Sequence, residues 1–235
     1  MSRPDPRDGM SLPPAGLDVS KLALELKGLR IGYLPEVGCG LPVDPEVAAA
    51  IERAARLFES AGARIETLPP FLTRQMLDGL DAFWRMRSFA DIRSLSDEER
   101  ARVLPYIVQW VEPARHYDGM TVYRGVSQLH AIRDAALAAT RAYDFVLSPV
   151  APCTAFAAEK PSPVDDPARP FEHICFTVPL NFSEQPAISV PAAMSRAGLP
   201  IGLQISGRRF DDVGVLAVAA AFERLRDPLP AWPRP

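Results

Sequence analysis

The chain has 235 residues, enough for one large domain or two small ones whose core needs no disulfide or metal ion to stabilise it. Hydrophobic residues make up 48% and charged residues 23%, which excludes a disordered or low-complexity chain. The formal net charge of -3 carries no basic excess, which argues against nucleic acid or an anionic membrane surface as the main partner and favours small-molecule chemistry or protein contact.

Prolines divide the chain into a body and two tails. Residues 1–16 and 227–235 are rich in proline, and each is expected to be irregular. A third proline-rich segment, residues 149–170, predicts a long internal loop. One domain is therefore expected to occupy residues 17–226.

The first part of this body predicts a strand–helix–strand unit. Strands are expected at residues 29–34 and 63–68. Between them Asp44 can cap a helix, Pro45 suits its first turn and Gly62 ends it. Apolar residues recur at helical spacing at Val47, Ala50, Ile51, Ala54, Leu57, Phe58 and Ala61. In such a unit the two strands are expected to lie parallel and the crossover to be right-handed. A parallel sheet carries helices on both faces.

The rest of the body alternates between helices and strands. About three helices are expected between residues 71 and 143, with breaks near 95–97 and 116–120. The later elements, in chain order, are a strand at 145–148, a short helix-like segment at 171–183, strands at 187–191 and 201–206, and a helix at 212–226. This last helix is apolar nearly all round, which is typical of a core helix.

The cysteines and the ends of the chain bear on its location. Cys39, Cys153 and Cys175 are odd in number and form no C-x-x-C pair, which favours reduced thiols in the cytoplasm over a disulfide framework. The amino terminus has no apolar h-region, and the longest uncharged apolar run, residues 213–222, is too short to cross a membrane. We expect no signal peptide and no membrane span.

The turn after the first strand begins like a dinucleotide fingerprint. Residues 38–40 read Gly-Cys-Gly, and G-x-G-x-x-G at the start of a helix would hold a pyrophosphate. The third glycine position is Val43, so a structural turn is the favoured interpretation.

The histidines and cysteines give little support for a metal or thiol site. His173 and Cys175 are two residues apart and could face one side of a strand, with Cys153 as a third ligand. A zinc site needs four ligands, or three and a water, and a Cys/His nucleophile has no stronger support. His130 lies on the wetter face of its helix. We expect neither a metal ion nor a cofactor.

Serine chemistry has no local signal either. No G-x-S-x-G elbow and no Gly/Ser-rich loop occurs in the chain. A Ser/Lys mechanism needs a desolvated lysine, and Lys21, Lys27 and Lys160 all lie in segments expected to be solvated.

Two carboxy-terminal segments resemble the closing hairpin of the amidase signature family. They read NFSEQPAISVP at residues 181–191 and GLPIGLQISG at 198–207. Further matches, in the family's order, are Gly28-Leu29-Arg30-Ile31-Gly32, Asp44-Pro45-Glu46-Val47, Tyr143-Asp144 leading to Ser148-Pro149, and the last helix through Glu223. The tail at Pro4-Asp5-Pro6-Arg7-Asp8 is similar to the family's Asp-rich connector, so the resemblance covers roughly residues 4–226.

The resemblance implies an α/β fold with a mixed β-sheet and helices on both faces, of which this chain would supply about half. Family members cleave amide bonds, or transfer the acyl group, with a Ser-Ser-Lys triad that precedes the connector. No residue here matches a catalytic position of the family, so the expected catalytic set in this chain is empty. The loop at 149–170, with Cys153, and the turn at Asn181 and Glu184 are the expected pocket wall; many members have Gly at the position of Glu184.

Two functional hypotheses remain open, ahead of a third in which an independent class of enzyme uses His173 and Cys175. The chain is either the carboxy-terminal portion of an amide hydrolase, inactive alone, or a non-catalytic remnant or binding module that keeps the fold. A half sheet leaves an edge open, so we expect poor solubility, self-association or a complementing amino-terminal amidase half as partner. The substrate of such a complex would be a small amide, an acyl-urea, a peptide amide or a glutaminyl donor.

Overall fold

The computed structural model describes residues 5, 7, 8, 17–20 and 22–230. Most of the expected tail at 1–16 lies outside the described residues, as do Lys21 and the last five residues of the tail at 227–235. None of the helices in the described part of the chain is long and apolar enough to cross a membrane.

Five strands of the described chain form one mixed sheet. They are β1 (Arg30–Tyr33), β2 (Arg64–Thr67), β3 (Phe145–Pro149), β4 (Ala187–Met194) and β5 (Pro200–Gly207). Their order across the sheet is β2-β1-β3-β5-β4. The β1 strand is parallel to both β2 and β3, whereas β5 is antiparallel to both β3 and β4. The expected mixed α/β sheet is confirmed.

Seven α-helices and two short 3-10 helices surround the sheet in the described residues. The α-helices are α1 (Pro45–Ser60), α2 (Arg74–Arg93), α3 (Asp97–Arg100), α4 (Pro105–Val111), α5 (Gly119–Thr140), α6 (Val178–Ser183) and α7 (Asp212–Leu225). The 3-10 helices are Glu112–His116 and Glu172–Ile174. Residues 74–140 therefore hold four α-helices rather than about three, because Pro105 disfavours helical backbone at the residue before it.

Helix α1 begins and ends where its sequence signals predict. The Asp44 carboxylate accepts a hydrogen bond from the Glu46 backbone N–H at 2.7 Å, and Pro45 occupies the first turn. Gly62 follows the helix with a φ of +95°, a conformation that costs glycine little. The backbone N–H of Asp44 also donates to the carbonyl of Pro152 at 2.7 Å, which ties the long internal loop to the start of this helix.

Two apolar clusters lie on opposite faces of the sheet. The cluster under α1 and α7 contains Leu147 and a stacked pair, Phe58 and Phe222, whose ring centroids are 5.6 Å apart. Burial of each of these rings contributes about 2–3 kcal/mol. The cluster under α2, α5 and α6 contains Val146 and Ile132. The alternation of Val146 and Leu147 between faces follows the two-residue period of a strand, and helices cover both faces as expected.

The loop at 150–170 is held by helices α2 and α4. Arg85, which is buried, forms an ion pair with Asp81 at 2.6 Å and donates to the carbonyls of Trp110 and Pro167. The Trp110 indole N–H donates to Asp81 at 2.7 Å, and the Tyr106 hydroxyl donates to the Asp166 carbonyl at 3.0 Å. This buried network therefore fixes the far end of the loop against the helical layer.

Candidate functional site

The carboxyl ends of the parallel strands form the candidate site. Strands β1 and β3 both end on this side of the sheet, and the loops at 34–43 and 150–170 begin at their carboxyl ends. In open α/β sheets, ligands bind in crevices at the carboxyl ends of the strands. Two cavities, of about 370 and 450 Å³, lie here. A larger cavity, of about 510 Å³, lies at the other end of these strands, near the start of β3.

The first of these cavities, which we call the β3 cavity, follows the end of strand β3. Its wall includes Val150, Cys153, Phe156, His173, Ser189 and Gly202. Gly202 on β5 permits the side chains of Val150 and Ser189 to lie close to the β5 backbone, because a Cβ on Gly202 would lie 2.8 Å from Val150 Cγ2 and 2.9 Å from Ser189 Oγ. A mostly apolar wall with a few polar groups is typical of a small-molecule site.

The polar groups of the β3 cavity are held in their neutral forms. Burial raises the pKa of the Cys153 thiol, and the nearby Asp44 carboxylate raises it further. Burial lowers the pKa of His173, whose ring packs edge-on against Phe156 with centroids 5.6 Å apart. Because the thiolate is the reactive form of cysteine, this environment favours a binding wall over a thiol nucleophile.

His173 and Cys175 lie in the segment expected to be helix-like, so they do not face one side of a strand. Residues 172–174 form a 3-10 helix, because the segment turns there to enter α6. His173 lines the β3 cavity, whereas Cys175 is 1% exposed in the other apolar cluster, where burial raises its pKa to about 12. Over the described residues, no group of three or more His, Cys, Asp or Glu side chains is placed to hold a metal ion.

The second cavity, which we call the β1 cavity, lies under the turn at 35–43. Gly38 and Gly40 have φ values of +112° and +126°. A Cβ on Gly40 would lie 2.6 Å from Cys175 Sγ, and the Leu41 N–H donates to the Glu172 carbonyl at 3.0 Å. Gly40 therefore brings the turn against the 172–176 segment, and Gly38 brings it against Leu72, which is the role of a structural turn.

A buried carboxylate, next to His173 in the chain, has no signal in the sequence. The side chain of Glu172 is 2% exposed, and its Oε1 lies 2.6 Å from Arg74 Nη1 and 3.7 Å from Arg169 Nε. Its Oε2 atom has no hydrogen-bond partner. Burial is the largest single influence on Arg74 and lowers its pKa, but the hydrogen bond to Glu172 and the nearby charges of Glu172, Asp78 and Cys39 together outweigh it, so the pKa of Arg74 is raised. The ion pair thereby anchors the 172–176 segment to helix α2.

A row of polar side chains also crosses the sheet beside the β3 cavity. Gln204 on β5 lies opposite Ser148 on β3 and Ser189 on β4. Its amide nitrogen donates to Ser148 Oγ at 2.9 Å and to the Phe176 carbonyl at 3.1 Å. Gln204 is 5% exposed, so these bonds satisfy a buried donor and fix the 172–176 segment over the sheet.

The expected pocket-wall residues do not meet at one place. Cys153 lines the β3 cavity, but Asn181 is exposed on α6 and lines neither the β3 nor the β1 cavity. Glu184 is exposed at the end of α6, where it pairs with Arg209. Its neighbour Gln185 lines the larger cavity near the start of β3.

The expected exposure of the lysines and of His130 agrees with the structure where it can be compared. Lys27 and Lys160 are exposed, and Lys21 lies outside the described residues. His130 is exposed on α5. Neither described lysine is desolvated in the way that a Ser/Lys mechanism requires.

Comparisons with known proteins identify the family. The family model described as Amidase matches residues 1–216. The chain is 32% identical to a glutamyl-tRNA(Gln) amidotransferase component of Granulibacter bethesdensis, over 95% of this chain and 49% of that protein. It is 31% identical to an acylamidase of Rhodococcus erythropolis, over 96% of this chain and 48% of that protein.

Solved structures give the same result. A bacterial aryl acylamidase of the amidase signature enzymes superposes with a TM-score of 0.78 at 29% identity, over 94% of this chain and 48% of that one. A 6-aminohexanoate cyclic dimer hydrolase shares the fold, with a TM-score of 0.76 at 23% identity, over 94% of this chain and 50% of that one. The chain spans about half the length of the relatives it matches. It belongs to the amidase signature family.

Proposed function

We propose that this chain is the carboxy-terminal portion of an amidase-type hydrolase acting on carbon–nitrogen amide bonds. The observation that carries the proposal is a match along 95% of the chain to only 49% of an amidase-family relative. In this proposal residues 17–226 form the carboxy-terminal half of the domain. The Ser-Ser-Lys triad then comes from the amino-terminal half of the domain, and this portion is inactive without it.

The chemistry of the β3 cavity supports a role in binding. Its wall offers apolar surface from Val150 and Phe156 with single polar groups from Cys153, His173 and Ser189. Cys153 and His173 are held neutral by burial, so neither is poised as a nucleophile or a charged acid. A wall of this kind suits the acyl part of an amide substrate, while the other half of the domain would attack the carbonyl and hold the oxyanion.

The proposed setting is the cytoplasm, and the cysteines support it. Cys39, Cys153 and Cys175 are free thiols, and a cytoplasmic enzyme can keep them reduced. A small amide is the proposed substrate class, and no nucleic acid is required by a chain whose net charge is -3.

The experiment pairs a sequence observation with an assay. The DNA upstream of codon 1 is translated in all frames and searched for a Gly/Ser-rich signature and its lysine. A polypeptide carrying them is then produced with this chain, and hydrolysis of aryl amides and aliphatic amides is measured. We expect activity from the pair and none from the purified chain alone.

Two results would change the conclusion. Activity of the chain alone that survives stringent purification would contradict the missing triad. An unrelated upstream neighbour, together with no activity from any pair, would favour the non-catalytic remnant or binding module.

A further inference from the structure

The larger cavity of the molecule lies away from the β3 cavity. It has a volume of about 510 Å³ and lies where Phe145 and Val146 begin strand β3. The β3 cavity lies beyond the carboxyl end of the same strand, so the length of β3 separates the two. We call the larger one the Arg141 cavity, after the arginine in its wall that caps the carboxyl end of helix α5. The proposed function assigns it no role.

The wall of the Arg141 cavity is held by hydrogen bonds between α5 and β5. The side-chain nitrogen of Gln185 donates to the Gly207 carbonyl at 2.9 Å and to Thr140 Oγ1 at 3.2 Å. Leu137 and Val146 add apolar surface to the same wall. A preformed cavity with an apolar wall and a few polar groups is typical of a small-molecule site.

A buried hydroxyl in this wall lacks a partner. Ser206 lies directly opposite Val146 in the antiparallel pair, so the two side chains project to the same face of the sheet, under α5. Ser206 is 3% exposed, and no described residue forms a hydrogen bond with its hydroxyl. Buried polar groups are normally paired, and Ser206 lines the Arg141 cavity. A ligand in the cavity would therefore supply the missing acceptor.

The charges of the wall leave one arginine uncompensated. The other charged side chains that line the cavity each belong to an ion pair: Arg208 with Asp144, Arg209 with Glu184, and Asp134 with Arg133. The Arg141 guanidinium is exposed and has no ion pair or hydrogen bond to any described residue. A guanidinium binds a carboxylate through two parallel hydrogen bonds. A single uncompensated positive charge therefore matches a ligand with one negative charge.

We propose that the Arg141 cavity binds a small monocarboxylic acid with an apolar body. Arg141 pairs with the carboxylate at the rim, and the Ser206 hydroxyl donates to an acceptor atom of the ligand. The apolar body rests on Leu137 and Val146. This site is separate from the binding wall of the β3 cavity, and the inference does not depend on the proposed function.

Ligand binding to the full chain tests the site. Fluorine NMR follows para-fluorophenylacetate during titration with the protein. The alcohol para-fluorophenylethanol serves as a neutral probe of similar shape, and inorganic phosphate serves as a competitor. We expect the carboxylate to bind at least about fivefold more tightly than the alcohol, because only the carboxylate can pair with Arg141. Phosphate has no apolar body and should not displace it.

Matched variants locate the binding. Arg141→Gln should weaken binding of the carboxylate at least about fivefold and leave the alcohol unchanged, whereas Arg124→Gln, at an exposed position of α5 outside the cavity, should change neither. Ser206→Ala should weaken both probes about threefold, because each loses a hydrogen bond. Ala138→Trp adds an indole at the cavity wall and should abolish binding of both, whereas Ala142→Trp, exposed and outside the wall, should not. Circular dichroism checks that each variant folds.

Several results would overturn the site. Equal binding of the acid and the alcohol would remove the role of Arg141, and so would acid binding that Arg141→Gln leaves unchanged. Displacement by phosphate would assign the arginine to a phosphate-bearing ligand. Loss of binding when a complementing amino-terminal amidase half is added would assign the cavity to that half. Hydrolysis by the complemented pair is measured separately, so none of these results decides the proposed function.

Discussion

Glu184 occupies a backbone conformation that favours glycine. Its φ and ψ are +57° and +30°, in the left-handed region, at the end of α6. A left-handed conformation costs a residue with a Cβ about 1–2 kcal/mol. Its ion pair with Arg209 joins two exposed side chains, and such pairs contribute about 0–1 kcal/mol. The turn therefore keeps its shape at the expense of stability.

Replacement of Glu184 tests this balance. We expect Glu184→Gly to raise the free energy of unfolding by about 0.5–1 kcal/mol, because the relief of backbone strain exceeds the lost ion pair. Glu184→Ala loses the same ion pair but keeps the Cβ, so it should be less stable than the Gly variant by about 1 kcal/mol. Urea denaturation measures both. An Ala variant as stable as the Gly variant would show that the turn is unstrained.

His173 predicts a pH dependence of stability. Burial lowers its pKa in the folded state, so the unfolded chain binds the proton more readily. The stabilisation is then complete above the unfolded pKa of about 6.5 and is lost as pH falls toward the folded pKa. We expect the unfolding free energy of the wild type to fall more steeply between pH 7 and pH 5 than that of His173→Gln. Parallel urea titrations across this range make the comparison, and equal slopes would contradict the buried neutral imidazole.

Elements whose signals are local could be predicted from the sequence. The cap at Asp44, the proline after it and the apolar period all lie within one helix, and α1 formed where they indicated. The segment at 171–183 is helix-like, as predicted, and it forms the 3-10 helix Glu172–Ile174 and α6, but its attachment to helix α2 could not be predicted because the contacts lie far apart along the chain. Glu172 pairs with Arg74, 98 residues away, and no local pattern marks a carboxylate that will be buried.

The same limit applies to the candidate site. The resemblance to the amidase signature family implied that Cys153 belongs to the pocket wall, and Cys153 lines the β3 cavity. Ser189 and His173 reach that cavity through the antiparallel pairing of β4 and a turn after the long loop. Asn181 and Glu184 are close to these residues in sequence, but helix α6 carries them away from the cavity.

The network that holds the long loop gives a prediction for helices α2 and α4. Asp81→Ala would leave Arg85 buried without its ion pair, and Trp110 without an acceptor. Breaking a buried pair in this way costs about 3–5 kcal/mol. We expect a loss of stability of this size, measured by urea denaturation, and partial recovery in the double variant Asp81→Leu with Arg85→Met.

An exposed pair provides the control for this network. Arg133 and Asp134 form an ion pair with side chains 45% and 67% exposed. Asp134→Ala should change stability by less than about 1 kcal/mol. Equal effects of the two substitutions would show that the Arg85 network does not fix the loop.

At the scale of the whole molecule, the described helices cover most of both faces of the sheet. Helices α1 and α7 bury one face and α2, α5 and α6 bury much of the other. The β4 edge adjoins the β3 cavity through Ser189. The chain spans about half the length of its relatives. The proposed function therefore divides the binding wall and the reactive groups between two halves of one domain.

The most direct test of this division is to locate the acyl-enzyme. The chain and a complementing amino-terminal amidase half are mixed as separate polypeptides and reacted with an activated acyl amide, and the mass of each is measured after quenching. We predict an increase equal to one acyl group on the amino-terminal polypeptide and none on the chain of 235 residues. An acyl group on this chain, whether alone or in the mixture, would contradict its role as the half without the nucleophile.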